Sequence, residues 1–174
     1  MQTTFIISFV GDDHPGLVEA LSEVISRHDG NWLESRLSQL AGKFAGLISV
    51  SLPEESSAEL QEALKNLSSA GISVRVTPCS DSLAVTEHAH LITLTILGPD
   101  RPGIVREIAA ALSVRSINVV DMESWVSSAP MSAELLFHAK VEAELPEEAN
   151  LAELGDTLET ISNEMDVDIT LETS

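Results

Sequence analysis

The chain has 174 residues, room for two compact domains of about 80 residues each. Nine basic residues against 28 acidic ones give a formal net charge of −19, which argues against nucleic acid as a direct partner, because Lys and Arg contacts to phosphate supply most of that affinity. Hydrophobic residues make up 44%, an ordinary globular share; no run reaches the ~18 apolar residues of a membrane helix, and the single cysteine, Cys79, excludes an internal disulfide.

In chain order, residues 4–10 form an apolar run rich in β-branched and aromatic side chains, closed by Gly11, and predict a strand. Pro15 is expected as the first residue of a helix, where its missing N–H is no loss. Leu17, Ala20, Leu21, Val24 and Ile25 follow at helical spacing and give one apolar face. Asp29-Gly30 stops that helix, with Gly30 expected in the left-handed position beyond its end. Residues 31–40 and 44–52 predict two strands joined around Ala41-Gly42-Lys43, a hairpin by length and glycine content. Leu60, Leu64 and Leu67 mark a second helix closed by Gly71, and residues 72–76 alternate as a final strand.

A short polar stretch without periodicity follows, so the domains are set at 1–78 and 89–174, with 79–88 as linker. The second half predicts a strand at 90–97 and a helix at 102–115 with Ile104, Val105, Ile108 and Leu112 facing inward. Strands at 117–126 and 133–143 flank the longer loop Ser127-Ser128-Ala129-Pro130-Met131. A helix lined by Leu151, Leu154, Leu158 and Ile161 and a strand at 167–171 close the chain. The order β-α-β-β-α-β, read twice, predicts an α+β protein of two tandem ferredoxin-like domains. Each is expected to be a four-stranded antiparallel sheet with two helices on one face.

The halves also repeat in sequence. Gly11-Asp12-Asp13-His14-Pro15-Gly16-Leu17-Val18 returns as Gly98-Pro99-Asp100-Arg101-Pro102-Gly103-Ile104-Val105, and at the same offset of about 87 residues Asn31 falls on Asn118. Leu52-Pro53-Glu54-Glu55 then matches Leu145-Pro146-Glu147-Glu148 with about six residues more, which predicts a longer hairpin in the second copy.

The repeated strand–turn–helix junction is the candidate binding site. Gly16 and Gly103 let a ligand approach the backbone. The first amides of each helix lack intrahelical partners and carry the positive end of the helix dipole, which suits a carboxylate. Arg101 adds a planar fork for the same group. Asn31 and Asn118, expected next to these turns, offer both donors and acceptors. Donors for a carboxylate and an acceptor for an ammonium are what an α-amino acid requires. Taken singly, each feature also has a structural reading: Asp13 and Asp100 as helix N-caps, the prolines as helix starters, the asparagines as turn residues.

The set Asp-x-Pro-Gly-(Ile/Leu)-Val after a strand, with Asn at the start of the second strand, resembles the ACT domain, a regulatory amino-acid-binding module. Two such units in tandem, opened by Gly11-Asp12-Asp13-His14-Pro15-Gly16, resemble the glycine cleavage system transcriptional repressor family. That resemblance implies a glycine-responsive protein that restrains a LysR-type activator of the glycine cleavage operon through protein contact. Carried over by position, it implies ligand contacts at Asp13, His14, Gly16, Leu17 and Asn31, and at Asp100, Arg101, Gly103, Ile104 and Asn118. It further implies a ligand between paired domains and a homo-oligomer. The copies differ where His14 stands for Arg101, so the first loop carries a group able to change charge near neutral pH and the second does not.

Other signals are weaker. His88 and His90 could be half a metal site but read more simply as surface residues at a strand entry. His28 and His138 are expected as ordinary edge or core residues, and Met122, Met131 and Met165 as core gap-fillers. Glu54-Glu55 and Glu147-Glu148 fit the entry of acidic helices better than acid–base catalysis. Glycine-rich phosphate loops, nucleophile elbows and two-cysteine metal motifs are missing, so no cofactor and no enzymatic activity are expected. The N-terminus has no basic n-region and no small-residue cleavage site, and the cytoplasm is the expected location. An amino-acid-responsive regulator is therefore expected, with a ligand-independent interaction module or a detached regulatory subunit of a metabolic enzyme as the alternatives.

Overall fold

The computed structural model describes residues 2–79, 90–130 and 132–173. They form two units, the first from residues 2–79 and the second from residues 90–173. The first contains β1 (Gln2–Asp12), α1 (Leu17–Arg27), β2 (Asn31–Leu40), β3 (Lys43–Pro53), α2 (Ser57–Asn66) and β4 (Ser73–Pro78). The second contains β5 (His90–Pro99), α3 (Ile104–Ser113), β6 (Asn118–Ser128), β7 (Leu135–Leu145), α4 (Leu151–Met165) and β8 (Asp168–Thr173). Their sheets have the strand orders β2-β3-β1-β4 and β6-β7-β5-β8, with every neighbouring pair antiparallel. This is the expected split βαβ topology, twice.

Each unit has its own core. In β1 every second residue is buried: Phe5, Ile7 and Phe9 point inward, and one cluster joins them to Leu17, Leu21 and Ile25 of α1 and to Leu60 and Leu64 of α2. In the second unit Ile92, Leu94 and Ile96 meet Ile104, Ile108 and Leu112 of α3 and Leu154, Leu158 and Ile161 of α4. Period-2 strand faces thus meet period-3.6 helix stripes on one side of each sheet. Val105, expected inward, is exposed; one position past Ile104, it is rotated about 100° away from the buried stripe. Met122, expected as a core gap-filler, is only partly buried, because it lies on the edge strand β6. Met165 does pack against the core, and Met131 lies outside the described residues.

The duplication extends to irregular features. β2 and β6 each carry a bulge two residues after their opening asparagine, between Trp32 and Glu34 and between Val119 and Asp121. Ala41 and Gly42 both adopt positive φ, which matches a two-residue hairpin turn between Leu40 and Lys43. In the second copy the hairpin extends one pair further, to Ser128 and Leu135, and Ala133 adopts positive φ inside the loop. The expected start of that strand at 133 therefore moves to Leu135. At the end of α1 the left-handed residue is Asp29, not Gly30. Gly30 is needed for another reason: a Cβ there would sit 2.7 Å from the Ile25 side chain and 2.9 Å from the Ile25 carbonyl oxygen. Beyond β4, the Cys79 amide donates to the Thr4 carbonyl at 2.8 Å, so Cys79 prolongs the ladder; the rest of the expected linker lies outside the described residues.

Candidate functional site

Both β–α junctions are built the same way. Neither helix begins at its proline; each opens two residues later, at Leu17 and Ile104, behind a glycine in the left-handed region (Gly16 φ 92°, Gly103 φ 103°). The prolines fall in the turn instead, because the left-handed glycine reverses the chain between proline and helix. No side chain caps either helix, so the Asp13 and Asp100 carboxylates do not serve as N-caps. The first helical bonds run from the Ala20 amide to the Gly16 carbonyl (2.9 Å) and from the Glu107 amide to the Gly103 carbonyl (3.0 Å). The amides of residues 17–19 and 104–106 therefore precede the helical ladder and point out of the helix end.

The loops are also pinned alike. The Asp13 amide donates to the Gly42 carbonyl (3.0 Å) and the Asp100 amide to the Leu135 carbonyl (2.8 Å), which ties each loop to the β-hairpin beside it. Asp13, His14, Asp100 and Arg101 are exposed, while the side chains of Leu17 and Ile104 are buried and serve the core, leaving only their backbone to face a ligand. Asp13, His14, Pro15, Gly16, Leu17, Val18, Glu19 and Phe44 line an open cleft of about 290 Å³. Glu19 and Phe44 were not singled out from the sequence. Glu19 had a legible signal, its place in the first turn three residues after the glycine; Phe44 comes from the far end of the hairpin.

The asparagines do not join these loops. Asn31 is paired with Ser51, which lies near Thr4 at the start of β1, whereas the loop follows Asp12 at its end. Asn118 likewise lies at the level of Leu91, at the opposite end of β5 from Asp100. Eight strand residues separate the two levels, roughly 27 Å. The expectation that each asparagine sits next to its own turn is corrected: β2 runs parallel to β1 in this topology, so the start of one lies beside the start of the other.

Charge differs between the loops. In the first, the Lys43 ammonium hydrogen-bonds the Asp12 carboxylate and pulls its pKa below the usual carboxylate range, and charge attraction from Lys43 and more weakly from His14 adds to the effect. His14 Nδ1 lies 3.0 Å from the Pro15 carbonyl oxygen, a distance at which a protonated Nδ1 donates. In the second, Arg101 donates to Asp166 across 3.3 Å, and Arg106 donates to its neighbour Glu107 at 2.6 Å. The second loop thus holds two guanidinium groups, while the first has Lys43 beside Asp12 and an open cleft lined by Asp13 and Glu19.

Elsewhere, His138 stacks on Trp125 (centroids 5.0 Å apart) with Nε2 2.7 Å from the Ser127 hydroxyl, and His28 Nδ1 lies 2.8 Å from the Val24 carbonyl. His90 is exposed at the start of β5; His88 lies outside the described residues. Glu54 and Glu55 open a short 3-10 turn, and Glu147 and Glu148 lie in a turn before α4; all four are exposed. Among the described residues no three His, Cys, Asp or Glu side chains cluster as a metal site, and no helix is long and apolar enough to cross a membrane.

Comparison with known proteins gives a family. No curated protein matches the sequence. A solved protein of unknown function from Galdieria sulphuraria is 27% identical, with a TM-score of 0.84 over 100% of this chain and 99% of that one. A solved protein provisionally described as a glycine cleavage system transcriptional repressor is 18% identical, with a TM-score of 0.74 over 100% and 98% of the two chains, and so shares the fold. The ACT domain family model matches residues 3–77 and again 90–172. The chain belongs to the ACT domain family and carries two such domains in tandem.

Proposed function

We propose that this tandem ACT protein is a non-enzymatic, cytoplasmic regulator that responds to a small amino acid, glycine foremost, through its β–α loops. One observation carries the reading: both loops combine a left-handed glycine, uncapped first-turn amides and a backbone bond to the hairpin. Amides held outward at a helix N-terminus suit a carboxylate. In the first loop Asp13 and Glu19 line the same cleft and supply acceptors for an ammonium group. In the second loop Arg101 and Arg106 would strengthen the hold on the carboxylate. Bound ligand would then shift the surface offered to a protein partner, by its difference in affinity between the two states. The family resemblance and the fold shared with the provisionally described repressor favour a LysR-type activator of the glycine cleavage operon as that partner.

A second reading has its own support. Within one domain the asparagine does not reach the loop, so a site confined to one domain lacks it, as a ligand-independent interaction module would have it. Isothermal calorimetry against glycine and serine separates the two. Saturable binding, weakened roughly tenfold by Glu19→Gln if that carboxylate meets the ammonium and unchanged in Asn31→Ala, supports the loop site. Flat traces at millimolar amino acid remove the sensor reading.

A further inference from the structure

We propose that the open face of the second sheet, the side turned away from α3 and α4, docks a cationic segment of a protein partner, with Trp125 as the anchor. The buried residues of β5 and β7 meet the helices, so the odd residues of β5 and the even residues of β7 stand on the other side. Strand pairing arranges that side in rows. One row runs Trp125, His138, Leu97, Asp168 across the four strands. Four residues along the strands, roughly 13 Å away, another runs Asp121, Glu142, Thr93, Glu172. Glu123 and Glu144 share this face, and among the described strand residues Lys140 is its one lysine or arginine.

The first row is a rigid apolar shelf. The His138 ring stacks on the Trp125 indole, 8° from parallel, and the Ser127 hydroxyl hydrogen-bonds His138 Nε2. The indole is nonetheless 49% exposed, and Leu97 is 39% exposed, whereas Trp32, the chain's other tryptophan, packs against the first core. An aromatic surface already held in place loses little freedom on binding, and an apolar patch rimmed by charge marks a protein contact. The rim fixes the sign of the occupant. Carboxylates on three of the four strands in the second row attract Lys and Arg, and an arginine also stacks on an indole. The fold does not demand these residues. At the matching places of the first sheet Ser38, Ala45, Val10 and Ser73 form the first row, and Glu34, Ser49, Ile6 and Thr77 the second. That face keeps one acid and no aromatic ring. The proposal rests on the reading above in taking a protein partner to exist, but not on amino-acid binding, since no β–α loop residue stands in either row.

The test uses the full chain and a synthetic amphipathic peptide of leucine, lysine and arginine, with glutamate replacing the cations in a control peptide. Fluorescence anisotropy of the labelled peptide gives the affinity, and nitrogen-15 NMR resolves the two indole N–H signals. The cationic peptide is expected to bind, to weaken as salt rises, and to move the Trp125 signal but not that of Trp32. Trp125→Ala and Glu172→Lys should each weaken binding roughly fivefold or more. Glu59→Lys, the same charge change on the exposed surface of α2, should alter it by less than about twofold. Absence of binding at low salt overturns the proposal. So does equal weakening by Glu59→Lys, which would reduce the contact to net charge. A dimer of the chain alone that Trp125→Ala dissolves in sedimentation equilibrium would assign the face to a second copy and overturn it too. Calorimetry with glycine bears on the amino-acid reading alone, whereas peptide affinity indifferent to Trp125→Ala removes this docking face whatever glycine does.

Discussion

Gly103 stands at φ 103° with open space around the place a Cβ would occupy, its nearest neighbours 4.0 Å away. Gly103→Ala therefore strains the backbone without a clash and should cost roughly 1–2 kcal/mol in urea unfolding. Gly98, five residues earlier, is constrained differently: a Cβ there would meet the Val167 Cα at 2.7 Å and force β5 and β8 apart. Asp12 gives a pH signature. Its pKa is lowered by Lys43, so the contact adds stability above the ordinary carboxylate pKa, and that stability is lost as pH falls through the lowered value. The carboxylate is fully exposed, so the effect is small. Carbon-13 NMR titration of Lys43→Ala should show the Asp12 pKa moving back up toward the usual range.

Helix starts show how one element can be secured in different ways. α1 and α3 open behind glycines and leave their first amides without side-chain caps, while α4 is capped by Asn150, whose side-chain oxygen accepts from the amides of Ala152 (3.0 Å) and Glu153 (3.4 Å). Asn150→Ala should cost about 1 kcal/mol in denaturant unfolding. The C-terminal end of α3 is tied to the middle of α4 by Arg115, which donates to the Ala111 carbonyl at 2.9 Å and to the Thr157 hydroxyl at 2.5 Å. The equivalent position in the first copy is His28, which reaches only its own helix, at the Val24 carbonyl.

At the scale of the molecule, each domain holds a core of its own, so truncation within one should unfold that domain first. Leu21, fully buried, meets the β1 stripe, and Leu21→Ala should cost about 2–5 kcal/mol. Hydrogen exchange of the β1 and β3 amides would record it as faster opening. The duplication, the element order and the placing of both loops between strand and helix were legible in the amino-acid sequence. They rest on short-range patterns: alternation in strands, helical spacing in Leu17, Leu21 and Ile25, and the repeated Asp-x-Pro-Gly. Where Asn31 and Asn118 lie relative to those loops was decided by the tertiary structure alone. Strand order and direction come from pairing between residues distant in the chain, and a parallel β1 and β2 carry the start of β2 to the far end of the sheet. The same holds for Met122 and Val126. Their apolar character is written in the sequence, but that they stay half exposed follows from β6 being an edge, a property of the sheet and not of the strand.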